Sequence, residues 1–471
     1  MKIIGREKEQ ATLKQCLESR SPEFLVVYGR RRVGKTFLIR EYFSGRFDFY
    51  VTGLANADMK NQLKAWNIAL KQSFAGDEKD ATSWLDAFSL LRNMLEKTSK
   101  SKKKVLFIDE IPWLDTPKSG FLTALEYFWN GWASGRTDIL LIICGSATSW
   151  VVNNIFKNRG GLYNRVTQRM RLLPFNLKET EEFLKEKEID LGRYQIAEAY
   201  MIFGGVPYYY NLLRRGQSLS QNIDSLCFAD DGILRREFNE LYANLFKNSK
   251  HHVGVITALC AKTKGLTRDE IIVATGIASG GSLTKILDEL ELCGFIRSYP
   301  NFLSTEKFAI YKLTDPFSSF YLHFIKDGRA RNPHFWSTNL ESPSLSAWKG
   351  FAFEKLCLAH VEQIKQTLGI AGVSTEISSW RSKNTTPGAQ IDLLIDRKDG
   401  IINVCEIKFS KSEYSITAKE EELLRNRIAV FVTETRTRKA VHITMVTSFG
   451  VVQNRHSSLI QSEVKLEDLF K

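Results

Sequence analysis

Three stretches of the chain are apolar without interruption: Phe24–Tyr28, Val105–Ile108 and Ile139–Cys144. Runs this short and this continuous predict strands covered on both faces, as in a parallel sheet. Phe47–Val51 alternates and predicts a further strand, and Arg169–Leu173 reads as strand-like, with Arg169 and Arg171 on one solvated face. Helical spacing covers Leu13 and Leu17, one long region from Asn61 to Thr98 with Trp66, Leu70, Trp84, Leu91 and Leu95 inward, and Leu122–Trp132. It returns from Asn176 to Leu213, where Gly204-Gly205-Val206-Pro207 forces a turn. Residues 251–313 read as a helix, a second helix after Gly265, a third from Ser279 to Cys293, and strands at Ile296–Tyr299 and Phe308–Leu313. That order predicts a winged helix. Gly328–Ser346, with scattered Asn, Pro and Ser, reads as a linker; an amphipathic helix follows over Ser346–Ile364, then two strands joined at Lys398-Asp399-Gly400. Short strands alternating with helices over 471 residues predict an α/β protein of about three domains.

The first apolar run leads into Gly29-Arg30-Arg31-Arg32-Val33-Gly34-Lys35-Thr36, a P-loop between a strand and a helix. Gly29 and Gly34 permit the tight turn, so that N–H groups from Gly29 through Gly34 can surround a phosphate at the helix N-terminus. Lys35 is expected to reach the β- and γ-phosphates, and Thr36 to supply a hydroxyl to Mg²⁺. The second run ends in Asp109-Glu110, a Walker B pair. Asp109 is expected to hold the Mg²⁺ of ATP, and Glu110 to polarise the attacking water.

In the C-terminal part, Gln390-Ile391-Asp392 lies on one strand and Glu406-Ile407-Lys408 on the next. Side chains alternate along a strand, so Glu406 and Lys408 share a face and the hairpin can bring Asp392 beside them. Two carboxylates with a lysine suit a divalent metal and an attacking water, Mg²⁺ or Mn²⁺ at this site.

Charge changes the picture in one place. The net +13 is concentrated in residues 1–176, which carry 28 Lys+Arg against 17 Asp+Glu. Arg30–Arg32 and Lys100–Lys104 flank the nucleotide motifs, which leaves a phosphate-facing or solvated surface and a DNA or RNA footprint both open. The third helix of the winged-helix order has only Lys285 against Asp288, Glu289 and Glu291, which favours an intramolecular or protein-binding role over groove reading. Seven scattered Cys without a C-x-x-C suggest neither disulfides nor zinc. With no signal-like N-terminus and no run of roughly 20 apolar residues, a cytoplasmic protein without membrane contact is expected.

These motifs resemble archaeal-type P-loop ATPases related to the AAA+ and STAND classes, fused to a PD-(D/E)XK nuclease-like domain. The resemblance implies that Gly5 and Arg6, in Gly5-Arg6-Glu7-Lys8-Glu9, belong to the adenine-side segment. It implies that Ser146 senses the γ-phosphate, and that Arg165 approaches it from the same or a neighbouring subunit of a homo-oligomer. The Gly204–Pro207 segment would close over the nucleotide, and Glu354 would be the extra metal-binding acid on the first helix of the nuclease-like fold. The implied organisation is an ATPase domain over 1–176, a helical lid over 177–250, a winged helix with connector over 251–327, a linker over 328–345 and a PD-(D/E)XK-like domain over 346–471. The implied function is ATP hydrolysis serving a metal-dependent nuclease. The alternative is a nucleotide-dependent switch whose C-terminal domain binds DNA or a protein without cutting.

Overall fold

The computed structural model describes all residues except 1, 75–78, 100–101, 158–159, 247, 301, 303–308, 327–331 and 383–388. Lys100, Phe308, Gly328, Pro387 and Gly388, singled out in the sequence, lie outside the described residues. Two compact units are present, Met1–Leu173 and Pro174–Lys471.

The first unit is built on β1 (Glu23–Tyr28), β2 (Phe49–Thr52), β3 (Lys104–Asp109), β4 (Ile139–Gly145) and β5 (Gln168–Arg171). All are parallel, in the order β2-β3-β4-β1-β5. The uninterrupted apolar runs supply the three central strands, and every residue of β4 is buried. One face of the sheet packs on Trp66, Trp84, Phe88, Phe121 and Phe128, the other on Leu13, Val33, Leu38 and Ile39. On β5, Arg169 and Arg171 are exposed and Met170 is buried, the alternation of a solvated edge.

The helical region expected over Asn61–Thr98 is two helices, Met59–Ser73 and Trp84–Glu96. Periodicity could not show the break because the inward residues remain in phase across it. The Asn67 amide clasps the Ala81 N–H at 3.0 Å and its carbonyl at 3.1 Å, and Ser83 caps the second helix through the Asp86 N–H. Trp66 and Trp84 then meet edge-on, 5.4 Å apart.

In the second unit a hydrophobic cluster runs from Leu177 to Phe470. Helices Leu177–Glu186 and Arg193–Phe203 precede the glycine pair, and Pro207 opens the helix Pro207–Asn211. Helices Ser249–Ala261, Arg268–Thr275 and Gly281–Leu292 are followed by an antiparallel ribbon of β6 (Ile296–Tyr299) and β7 (Ile310–Leu313).

The described part of the expected linker is not a solvated stretch. Phe335–Thr338 is helical, Trp336 is buried, and Asp224 accepts the Trp336 N–H at 2.8 Å. Its aromatic residues outweigh the turn-forming composition, because burying them stabilises the segment against the cluster. The helix expected over Ser346–Ile364 begins at Pro343 and divides at His360 into Pro343–Ala359 and Val361–Thr367.

The chain ends in a five-stranded sheet of β8 (Thr375–Arg381), β9 (Gln390–Arg397), β10 (Ile401–Lys408), β11 (Ala440–Thr447) and β12 (Ser462–Lys465), in the order β12-β11-β10-β9-β8. The pairs β8–β9 and β9–β10 are antiparallel; β10–β11 and β11–β12 are parallel. A parallel pair needs a long crossover, which the helix Ala418–Thr435 supplies between β10 and β11. Its start is fixed by a capping box between Thr417 and Glu420.

Candidate functional site

At the end of β1, Gly29 has φ +147°, and a Cβ there would lie 2.2 Å from the Leu172 carbonyl oxygen. Gly34, at φ +90°, turns the chain into the helix Lys35–Tyr42, whose free N–H groups face the loop. Val33 anchors the loop in the core at 1% exposure. The Lys35 ammonium is buried and donates to the carbonyls of Gly29 at 3.0 Å and Arg30 at 2.9 Å. It is thus held inside the loop that would surround a phosphate. Arg30 is also buried, Arg31 is half-buried, and Arg32 takes a positive φ of 71°.

The third strand, β3, brings Asp109 to the same end of the sheet, where the Thr36 hydroxyl donates to its Oδ2 at 2.7 Å. A hydroxyl and a carboxylate in direct contact are the donor set that a magnesium ion bound to nucleotide takes, so these residues fit that group. Asp109 Oδ1 accepts the Glu110 N–H at 2.9 Å. Glu110 stands in the left-handed region, φ 46°, and its Oε2 accepts from the Ser146 hydroxyl at 2.9 Å. Ser146 follows β4, so adjacent strands deliver the two groups. Beneath them the Cys144 thiol is fully enclosed, and burial, followed by the charge of Asp109, pushes its pKa well up.

Among the other residues expected at the nucleotide, Gly5 and Arg6 both have positive φ and precede the helix Glu7–Glu18. Arg6 is buried and donates to the Leu173 carbonyl at 2.8 Å. Arg165 is exposed in the turn before β5, and among the described residues its guanidinium makes no hydrogen bond or ion pair with the loop. Gly205 lies in the second unit, its carbonyl accepting from the Phe175 N–H at 2.6 Å.

The C-terminal candidates come together at the β9–β10 hairpin. Its pairing runs from Ile402 opposite Asp396 to Cys405 opposite Leu393, and one further step of that register sets Glu406 across from Asp392 on one face. Asp392 Oδ1 accepts from Lys312 Nζ at 2.7 Å and from Gln390 Nε2 at 2.9 Å. Glu406 pairs with Lys408 at 3.0 Å and with Arg427 through its other oxygen. Burial first, then the charge of Asp392, raises the Glu354 pKa to about 8. Burial opposes ionisation of Asp392 as well, but Lys312, Gln390 and Arg427 together outweigh it and hold that carboxyl below its ordinary value. Among the described residues no three His, Cys, Asp or Glu side chains are gathered closely enough to hold a metal. As donors, Glu354, Asp392 and Glu406 suit a divalent cation; as arranged, Asp392 and Glu406 hold protein cations.

Sequence reasoning missed Lys312 and Arg427. A signal for the first existed: in Ile310-Tyr311-Lys312-Leu313, the lysine takes an inward position beside apolar neighbours and is 6% exposed. Nothing in the charged helix Ala418–Thr435 marks Arg427 apart from its other polar residues.

A parallel sheet with a glycine loop between β1 and its helix, and Asp109 at the end of β3, defines an α/β P-loop ATPase fold; the C-terminal sheet is an addition to it. Residues 3–213 match the family described as an ATPase domain predominantly from Archaea. The Walker-type ATPase PABY2304 of Pyrococcus abyssi shares the fold, with 18% identity, a TM-score of 0.51, and coverage of 68% of this chain and 96% of that one. The uncharacterized protein MJECL04 of Methanocaldococcus jannaschii is 24% identical over 395 residues, 83% of this chain and 84% of that protein. The ORC2 protein of Aeropyrum pernix is more distant, at 12% identity and a TM-score of 0.44 over 68% of this chain and 93% of its own. Among the described residues, no helix is long and apolar enough to cross a membrane.

Proposed function

We propose that the protein hydrolyses ATP with Mg²⁺ in its first unit and carries a metal-dependent phosphodiesterase site for DNA or RNA in its C-terminal sheet. Lys35 binds the β- and γ-phosphates, and Thr36 and Asp109 would hold Mg²⁺, which when bound would supply positive charge to the phosphate oxygens. Glu110 orients a water and takes its proton as the water oxygen attacks the γ-phosphorus and the bond to the β-phosphate oxygen breaks. Ser146 holds Glu110 in position, and Arg165 joins the γ-phosphate from the same or another subunit. The Gly204–Pro207 turn belongs to a lid, and residues 251–313 form a winged helix with an intramolecular or protein-binding role.

The observation that carries the C-terminal reading is the β9–β10 register, whose continuation by one step beyond Cys405 and Leu393 would set Asp392 across from Glu406 with Lys408 on the same face. The five-stranded sheet, with the helix Pro343–Ala359 before it and Ala418–Thr435 crossing over it, supports a PD-(D/E)XK-like fold. Asp392 and Glu406, once released from their protein cations, would hold Mg²⁺ or Mn²⁺, with Glu354 as the further acid of the site. A bound divalent cation supplies a polarised water and charge for the phosphate; Lys408 positions that water. A second reading, a nucleotide-dependent switch with a binding but non-cutting C-terminal domain, is favoured by the Lys312 and Arg427 ion pairs.

The test is cleavage of single- and double-stranded DNA and RNA with Mg²⁺ or Mn²⁺, with and without ATP. Asp392→Ala is expected to abolish cutting and leave ATP hydrolysis intact. Glu110→Gln is expected to keep ATP binding and lower turnover roughly ten- to a thousandfold. No cleavage by the wild type under any condition selects the switch, and cleavage surviving Asp392→Ala removes this site as its source.

A further inference from the structure

We infer that Lys312 is an internal counter-cation of the C-terminal carboxylate cluster, and that the β6–β7 ribbon which carries it gates divalent-metal binding there. The inference rests on the metal-site reading of Asp392 and Glu406. Lys312 lies 80 residues from Asp392 in the chain, yet its ammonium sits 2.7 Å from Asp392 Oδ1 with a side chain only 7% exposed. A buried ammonium is costly without a partner, and a buried carboxylate equally so. Each therefore holds the other. Asp392 and Glu406 carry two negative charges, and Lys312, Lys408 and Arg427 face them with three positive ones. The two carboxylates are already neutralised without a metal, so a dication finds an attractive site only after a lysine has left.

The ribbon is fixed against the same sheet by contacts that do not involve the cluster. The chain following β6 lies along the edge strand β8, with the Phe302 N–H donating to the Ser379 carbonyl at 3.0 Å and the Ser379 N–H to the Pro300 carbonyl at 3.4 Å. The Phe302 ring packs on Phe431 at 5.3 Å. Arg381 of β8 donates to the Gly265 carbonyl at 3.0 Å, before the helix Arg268–Thr275, and pairs with Glu270 in the first turn of that helix at 3.4 Å. These contacts cover an otherwise open sheet edge and set the direction from which Lys312 enters. Withdrawing the ribbon removes the lysine and uncovers Asp392 together, which makes metal occupancy depend on where the winged-helix segment is docked.

The test is Mn²⁺ binding to the full-length, nucleotide-free protein, followed by calorimetry and by the electron paramagnetic resonance signal of free Mn²⁺. Asp392→Asn identifies the fraction bound at this site. Lys312→Met, which keeps the buried stem and removes the charge, is expected to tighten that fraction at least tenfold, and Lys312→Arg is not. Arg381→Ala, which removes the contacts with Gly265 and Glu270 and not a charge of the Lys312–Asp392 pair, is expected to tighten it severalfold by loosening the ribbon; it decides the matter should Lys312→Met fail to fold. Binding that depends on Asp392 but is unchanged in the folded variants overturns the gate and leaves the metal site standing. No binding dependent on Asp392 in any variant overturns both.

Discussion

At the residue scale, His360 shows how a polar side chain can become structural. It is 1% exposed; its Nε2 accepts the Leu177 N–H at 3.0 Å and its Nδ1 lies 2.8 Å from the Leu356 carbonyl. Those partners need a neutral ring with the proton on Nδ1. Burial lowers its pKa from 6.5 to about 4, so between those values the unfolded chain binds a proton that the folded chain does not. The stability contributed is therefore fully present above about pH 6.5 and is lost as pH falls toward 4, a change of about 3 kcal/mol. His360→Phe removes this titration. The stability difference between wild type and variant is expected to shrink by that amount from pH 7 to pH 4 in urea denaturation, and a constant difference would show that the ring is not held neutral.

At the element scale, the nucleotide loop depends on how closely it can approach β5. The Leu172 N–H donates to the Tyr28 carbonyl at 2.8 Å, which pins the exit of β5 beside the end of β1 and leaves no room for a side chain on Gly29. Gly29→Ala meets both a crowded oxygen and an unfavourable φ. It is expected to cost about 2–4 kcal/mol and to weaken ATP binding, read by thermal melting and nucleotide titration. Gly34→Ala has the unfavourable φ but open space around it, so it is expected to cost less.

At the scale of the whole molecule, the basic excess of residues 1–176 is partly accounted for inside the fold. Lys103 donates to the carbonyls of Ser19 at 2.8 Å, Ser21 at 2.5 Å and Thr137 at 3.1 Å, and Lys104 lies 3.4 Å from Asp48. The buried Lys35 and Arg30 belong to the loop. Lysines and arginines occupied in this way release no counterions to a polynucleotide. Binding of duplex DNA is accordingly expected to weaken gently with salt, with a log–log slope smaller in magnitude than about 3 by fluorescence anisotropy. A slope beyond about 5 would instead mark an extended phosphate-binding footprint.

What could be read along the chain was whatever is encoded over a few residues. The buried runs, Gly29 and Gly34 around the turn, Lys35-Thr36 at a helix start, Asp109-Glu110 at a strand end, and Glu406 and Lys408 on one strand face all follow from local geometry. Repeat period could not show the break between Ser73 and Trp84, because it depends on Asn67 reaching Ala81. Turn-rich composition misread the stretch around Trp336, whose partners come from elsewhere in the second unit. The contacts that define the sites join distant residues: Thr36 with Asp109, Ser146 with Glu110, Lys312 with Asp392, and Arg427 with Glu406. Sequence period tells which side chain points inward. Which group of opposite charge it meets there is set by the order of strands and the docking of one element on another, and so was decided only by the tertiary structure.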